Sequence, residues 1–345
     1  MPGESKIEWT DRTWNPVSGC HKVSPGCEHC YAEAISLRFK RSTLPWTKPN
    51  ADQNVVLHHD RLDLPFRWKK PARIFVNSMS DLFHENVPDG FIAWVWNTMY
   101  QTPWHTYQIL TKRPERMREF VRKWNDLTGE TGDVKLVRGP EATRAAHPSG
   151  RGQLFAAYLD ELLKASGGVE QGAWPTFDWM EGWRWRPRLP LMNVWLGTSV
   201  EDQRRAEERI MWLMDTPATV RFLSCEPLLG PVDLTDITVV AEKPPYGPRC
   251  SVNALTGHYP QVDEYHRHER IHWVIVGGES GPGARPIAID WVRHLRDQCR
   301  ESGTPVFIKQ MGAVWAKQMA ADPKGGNWDR WPVDVRVREF PPEFG

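Results

Sequence analysis

Six times in this chain a short apolar, β-branched run ends in a cluster of small and polar residues: ARIFVNSMSD (72–81), HTYQILTKRP (105–114), NVWLGTSVED (193–202), TVRFLSCEPL (219–228), IHWVIVGGESG (271–281) and TPVFIKQMG (304–312). Helical patterns lie between them. Ile74, Phe75 and Val76 read as a buried strand, with Asn77, Ser78, Ser80 and Asp81 just past its end, and a helix is predicted over 90–100. The next run delivers Thr111, Lys112 and Arg113, with Pro114 in a first helical turn. Met117, Phe120, Val121 and Trp124 then make an apolar stripe at i, i+3, i+4, i+7. Further on, a helix at about 203–214 carries Ala206, Ile210, Leu213 and Met214. Asp290 is expected to cap another, with Val292, Leu295 and Cys299 facing inward. Strands alternating with helices imply parallel βαβ units, and near-continuous apolar strands imply a sheet covered on both faces. Six or seven such units predict an α/β chain folded as a full or partial parallel (β/α) barrel, with its active site at the C-terminal strand ends. The polar clusters fall at those ends. Turn and cap chemistry explains many of the Ser, Asp, Asn and Gly residues there, but explains Lys112, Arg113, Glu226 and Glu279 less well.

Three of the six cysteines crowd into eleven residues, CHKVSPGCEHC, as Cys20, Cys27 and Cys30. A Cys-x2-Cys turn points two sulfurs at one centre, and the loop holding Pro25 and Gly26 can bring in the third. Clustered thiolates select zinc, copper(I) or iron–sulfur. A structural zinc site wants four ligands; His21 and His29 lie inside the motif, so a Cys3His zinc site stands as an alternative. A [4Fe–4S] cluster on three cysteines leaves one iron open, as S-adenosylmethionine (SAM) radical chemistry requires. A disulfide fits poorly in a long chain with no N-terminal apolar segment resembling a signal peptide or membrane span. The expectation is a cytoplasmic protein with no membrane partner.

Charged residues are 25% and hydrophobic residues 40% of the 345, which suits a globular protein. Net charge is +1, so a polyanion would have to meet a local basic patch. Two stretches break the strand–helix cadence. The reading is a first barrel part with the cysteine motif (1–124), an insertion or lid (125–192) with a helix over 154–164, barrel again (193–231), a second insertion (232–270), then barrel end and tail (271–345). The 19 tryptophans mostly serve packing. In the first insertion, however, Trp183, Arg184, Trp185 and Arg186 interleave rings with charges, the pairing a nucleic acid would meet. A tryptophan-rich lid with its arginines in water is the competing explanation. Cys250, His258, His266 and His268 have ligand chemistry but no tight spacing, and read as a solvated loop.

WTDRTWNPVSGCHKVSPGCEHCYAE, FVNSMSDLFHENVP, ILTKRPERM, VWLGTSVED, RFLSCEPLLGP, VIVGGESGPGARP and FIKQMG, in that order, resemble the three-cysteine-motif proteins of phages and bacteria, a radical-SAM-like family of no established activity. The resemblance runs from about Ile7 to Gly312, outside the two insertions. It implies a radical-SAM-type partial barrel with a [4Fe–4S] cluster on Cys20, Cys27 and Cys30. Two departures stand out. Six residues rather than the usual three separate the first two cysteines, which keeps zinc or a non-SAM cluster open. Gly277–Gly278–Glu279 follows a late strand rather than the second, so the usual SAM-amine role does not carry over to Glu279.

Under this resemblance Lys112 or Arg113 would neutralise the SAM carboxylate, Ser199 and Glu201 would take the ribose hydroxyls, and Asp81 or Ser80 the ammonium. Glu226 and Glu279 would face substrate, unless they pair with Arg221, Arg285 or Lys309. Cys225 could return a hydrogen atom to a substrate radical, or be a small core residue. Three functions follow: a radical-SAM-type enzyme fed by an external electron donor and acting on a nucleic-acid base or nucleotide; a zinc-stabilised nucleic-acid-binding phage accessory protein; and a cluster-bearing barrel without SAM cleavage.

Overall fold

The computed structural model describes residues 5–128, 190–239, 250–259, 269–319 and 322–342. Its strands are β1 (Arg12–Trp14), β2 (Val17–Ser18), β3 (Val56–Leu57), β4 (Arg73–Val76), β5 (Thr106–Thr111), β6 (Val194–Ser199), β7 (Val220–Cys225), β8 (Ile237–Val239), β9 (Cys250–Val252), β10 (Trp273–Gly277) and β11 (Val306–Gln310). Seven of them form one sheet in the order β1, β4, β5, β6, β7, β10, β11, and every neighbouring pair is parallel. The sheet curls into a half-barrel. The partial parallel barrel read from the sequence is therefore present.

Alternation along each strand separates two cores. Phe75, Trp195, Val220, Phe222, Trp273, Ile275 and Phe307 fill the concave side, joined by Trp9 from the N-terminal segment. Their neighbours, among them Ile74, Val76, Leu196, Leu223 and Val276, face the convex side. There they meet the helices Asp89–Gln101, Pro114–Thr128, Gln203–Met214 and Ile289–Ser302. A half-barrel leaves more interior to fill than aliphatic side chains span, and large rings occupy it. Trp273 stands edge-on to Trp195 at 5.9 Å and to Trp9 at 6.2 Å, a favoured aromatic geometry. Phe340 of the C-terminal segment closes over Trp273 and lies beneath the Arg73 guanidinium, 4.3 Å from the ring centre.

Two sequence readings change. The seventh strand, β1, lies in TDRTWN; at three residues, with one fully buried side chain, it is too short for periodicity to mark. The helix Ile289–Ser302 is entered through Ala288, so Asp290 lies in its first turn rather than at the cap, where its charge still suits the helix dipole. The described part of 232–270 packs against the barrel as a separate two-stranded sheet with its flanking segment. Val232, Leu234 and Ile237 are buried in the convex core, and β8 and β9 pair as a hairpin packed beside the helix Gln203–Met214. Among the described residues no helix is long and apolar enough to cross a membrane.

Candidate metal centre

The loop leaving β1 turns back onto the C-terminal rim of the sheet. Gly19 permits this: its φ is +84°, it pairs with Ser80, and a Cβ there would lie 1.8 Å from the Asn54 carbonyl oxygen. Cys20 follows. Cys27 ends a 3-10 turn begun by Pro25, and Cys30 stands at the N-terminus of the helix Tyr31–Arg38. All three cysteines line one cavity of about 150 Å³, with Asn77, Lys112, Arg113 and Ser199 from the ends of β4, β5 and β6. Phe75 and Leu110 line its floor and also belong to the concave aromatic core, so the cavity is sealed from below by apolar packing.

The cavity combines buried thiols, strand-end cations and unpaired N–H donors. Burial pushes the Cys20 thiol up to about 12; Asp81 adds to this and Arg113 opposes it. Burial raises Cys30 as well. Thiols so placed become thiolates when a metal ion replaces the proton. Two buried donors on the lining lack a partner, Asn77 Nδ2 and Trp46 Nε1, their residues 2% and 3% exposed. An unpaired buried N–H costs about 1–3 kcal/mol, and cluster sulfur is an acceptor of such bonds. Asn77 is aimed there by a left-handed backbone (φ +61°), while its Oδ1 accepts from Val17 N at 3.1 Å. Spacing bears on the choice of metal. Zn–S bonds of about 2.3 Å put tetrahedral thiolates under ~4 Å apart. Among the described residues, the three sulfurs form no group with all ligand atoms within 4.8 Å.

One such group does exist: His21, His84 and Glu85. The Asn86 backbone N–H donates to His84 Nδ1, which leaves His84 Nε2 to donate to His21 Nδ1 at 2.7 Å. The Arg113 guanidinium lies 3.4 Å from both His21 ring nitrogens. Burial, then Arg113, holds His84 down at about 4 and lowers His21 too. This is a hydrogen-bonded pair under a cation, poorly suited to a metal. It engages the His21 ring outside the thiol set, with a partner, His84, 63 residues away and beyond the reach of motif spacing.

The polar groups expected at the mouth are largely committed to one another. Lys112 and Ser199 line the cavity, Lys112 Nζ donating to Ser199 Oγ at 3.1 Å and lying 3.7 Å from Glu201 Oε1. Arg113 also lines it, but its Nη1 reaches Asp81 Oδ2 at 3.1 Å and Cys20 Sγ at 3.6 Å, so it serves the thiol rather than standing free for a carboxylate. Asp81 accepts from Thr111 Oγ1 and from the Lys112 and Phe83 backbone N–H groups, and Ser80 Oγ donates to the Val17 carbonyl. Neither side chain is left for an ammonium. Glu201 is fully buried. Its Oε1 accepts from Ser24 Oγ at 2.6 Å and its Oε2 from Arg209 Nη1 at 2.9 Å. Burial works against its charge, but Lys112 and Arg209 outweigh it and hold the carboxyl below its ordinary range. Glu201 is thus a latch on the cysteine loop.

The remaining residues are also accounted for. Glu226 pairs with Lys309 at 2.7 Å. Glu279 accepts from Arg285 Nη2 at 2.6 Å, and Arg285 reaches on to Glu28 and the Pro25 carbonyl, a second tie to the loop. Cys225 alternates to the convex core, fully buried, away from the mouth; burial raises its thiol. Cys250 is buried in β9 and His258 exposed, whereas His266 and His268 fall outside the described residues. So do Trp183, Arg184, Trp185 and Arg186.

No curated protein and no solved structure matches the chain. One family model does, over residues 4–334, and by that match the chain belongs to DUF5131, a family described as proteins of unknown function.

Proposed function

We propose that this chain is a radical-SAM-type iron–sulfur enzyme. Cys20, Cys27 and Cys30 would hold a [4Fe–4S] cluster at the C-terminal rim of the half-barrel, with SAM beside it against Lys112 and Ser199. The carrying observation is the convergence of three thiols, from eleven consecutive residues, on one cavity whose walls are strand-end cations and unpaired N–H donors. When bound, cluster and SAM would supply radical chemistry for hydrogen abstraction, with the electron coming from an external donor.

The chain's own residues set the conditions for that chemistry. Arg113 places a guanidinium against Cys20 and stabilises its thiolate form. Lys112, 20% exposed and 3.7 Å from Glu201 Oε1, would share its ammonium with a carboxylate entering the cavity. Glu201 and the Glu279–Arg285 pair hold the cysteine loop from two sides. The aromatic floor excludes water from below, which strengthens each of these interactions.

Anaerobically reconstituted protein is expected to carry about four irons and four sulfides per chain, to change its EPR signal when SAM is added, and to release 5′-deoxyadenosine. Replacing Cys20, Cys27 or Cys30 with alanine should abolish iron binding, whereas Cys250→Ala should leave it. Stoichiometric zinc with no iron would overturn the reading. An iron signal indifferent to saturating SAM would reduce it to a cluster-bearing barrel.

A further inference from the structure

The chain segment that leaves the cysteine-bearing helix carries a surface the metal centre does not use. From Ala34 to Ala51 there is no carboxylate, and Arg38, Lys40, Arg41 and Lys48 are all exposed. None of the four pairs with an acid among the described residues. Phe39 is 61% exposed, with the Arg38 guanidinium 5.6 Å and the Arg41 guanidinium 5.8 Å from its ring centre. An exposed ring between two cations has no folding rationale, since it buries little apolar area.

The backbone holds this arrangement in place. Arg41 N donates to Ser36 O and Lys40 N to Leu37 O, the bond pattern of a helix ending in a left-handed residue. That residue is Lys40, at φ +53°, where glycine would avoid about 1 kcal/mol of strain. Tyr31, Ala34 and Arg38 share one exposed helix face at i, i+3, i+7. The face leads from Phe39 back to Tyr31, which lines the cysteine cavity, about 12 Å along the helix axis. The bond from Lys22 N to the Trp46 carbonyl folds the segment bearing Lys48 against the cysteine loop.

We propose that this face binds single-stranded nucleic acid. Phe39 stacks on a base, Arg38, Lys40, Arg41 and Lys48 meet phosphates, and the strand runs along the helix to present a nucleotide at the cavity. An acidic peptide would satisfy the cations but has no use for the ring between them; a polynucleotide uses both. As a statement about binding, the inference stands on this surface alone. As a statement about substrate, it rests on the radical-enzyme reading above.

The test is fluorescence anisotropy with labelled DNA and RNA oligonucleotides of about 16 nucleotides, the upper range of single-strand site sizes, over a salt series. It is run on reconstituted protein and on the Cys20→Ala variant. Four phosphate contacts give a slope of log affinity against log salt near −3, at about −0.7 per contact. The double variant Arg38→Gln/Arg41→Gln should flatten that slope by about 1.4. Phe39→Ala should weaken binding roughly five- to hundredfold with the slope unchanged. DNA and RNA arms with the same variant response both support the surface. Three outcomes overturn it: no binding at low salt, equal weakening by Lys69→Gln/Lys70→Gln, or full competition by a poly-glutamate peptide. Binding retained by Cys20→Ala without any 5′-deoxyadenosine from the reconstituted protein would remove the enzyme reading alone. SAM cleavage without oligonucleotide binding would remove this inference alone.

Discussion

Gly26→Ala asks whether the cysteine loop is held as tightly as its contacts indicate. A Cβ at Gly26 would lie 2.4 Å from Glu201 Oε1, 2.5 Å from Cγ and 2.8 Å from Cδ. Those atoms cannot retreat freely. The carboxylate is fully buried and pinned by Ser24 on the loop side and Arg209 on the barrel side. Moving it breaks two charge-assisted bonds at about 1.5–3 kcal/mol each; moving the loop breaks the one from Ser24 and stretches the more exposed ties from Arg285 to Glu28 and the Pro25 carbonyl. The loop therefore yields, at about 2–3 kcal/mol, within the usual range for overpacking. At about 2 °C per kcal/mol for a domain of this size, thermal unfolding should fall by roughly 4–6 °C. Cys27, the next residue, should react faster with a thiol reagent in metal-free protein. Gly230→Ala is the control: its nearest neighbour, Asp202 Cβ, lies at 3.5 Å, an ordinary contact. Shortening the partner with Glu201→Asp should recover part of the loss in the double variant, and the cycle isolates the contact. A Gly26→Ala protein that melts with the wild type and shows unchanged Cys27 reactivity would refute the latch.

Two further outcomes follow from the same geometry. Arg113→Gln leaves the Asp81 carboxylate, 6% exposed, without its cation, and should cost about 3–5 kcal/mol in a thermal or urea melt; a near-native melt would show that the pair does not hold the β4 and β5 exits together. Burial, then Arg221, depresses His272 to about 4, whereas in the unfolded chain it titrates near 6.5. The unfolded state therefore binds the extra proton, so stability present above about pH 6.5 is lost as pH falls toward 4, by at most about 1.4 kcal/mol per pH unit from this group. Urea midpoints measured across that window should fall less steeply in His272→Gln, and parallel curves would contradict the assignment.

Local pattern was sufficient for much of this molecule. Six of the seven sheet strands show in the sequence because each is buried on both faces and so reads as an unbroken apolar run. The helix Pro114–Thr128 shows because its stripe from Met117 to Trp124 follows the helical period. The cysteine triplet shows because its members are close in sequence, and a short loop can bring them to one place.

What only the tertiary structure decided is which polar groups at the strand exits remain free. Asp81, Glu201, Glu226 and Glu279 sit at those exits as expected. Glu226 and Glu279 take Lys309 and Arg285, pairings the sequence held open, but the partners of Asp81 and Glu201 carry no pattern: Ser24 lies 177 residues from Glu201, and Arg113 lies 32 from Asp81. A buried carboxylate is stable only when paired, and the curl of the sheet chooses its partner by bringing distant strand ends within 3 Å. Periodicity reaches one turn or one strand, so it can place a charge at the rim but cannot say whether that charge faces a ligand or another side chain. Asn77 and Trp46 make the converse case. Both are ordinary in sequence, and only burial beside the cysteines, with a donor left unpaired, marks them as part of the site.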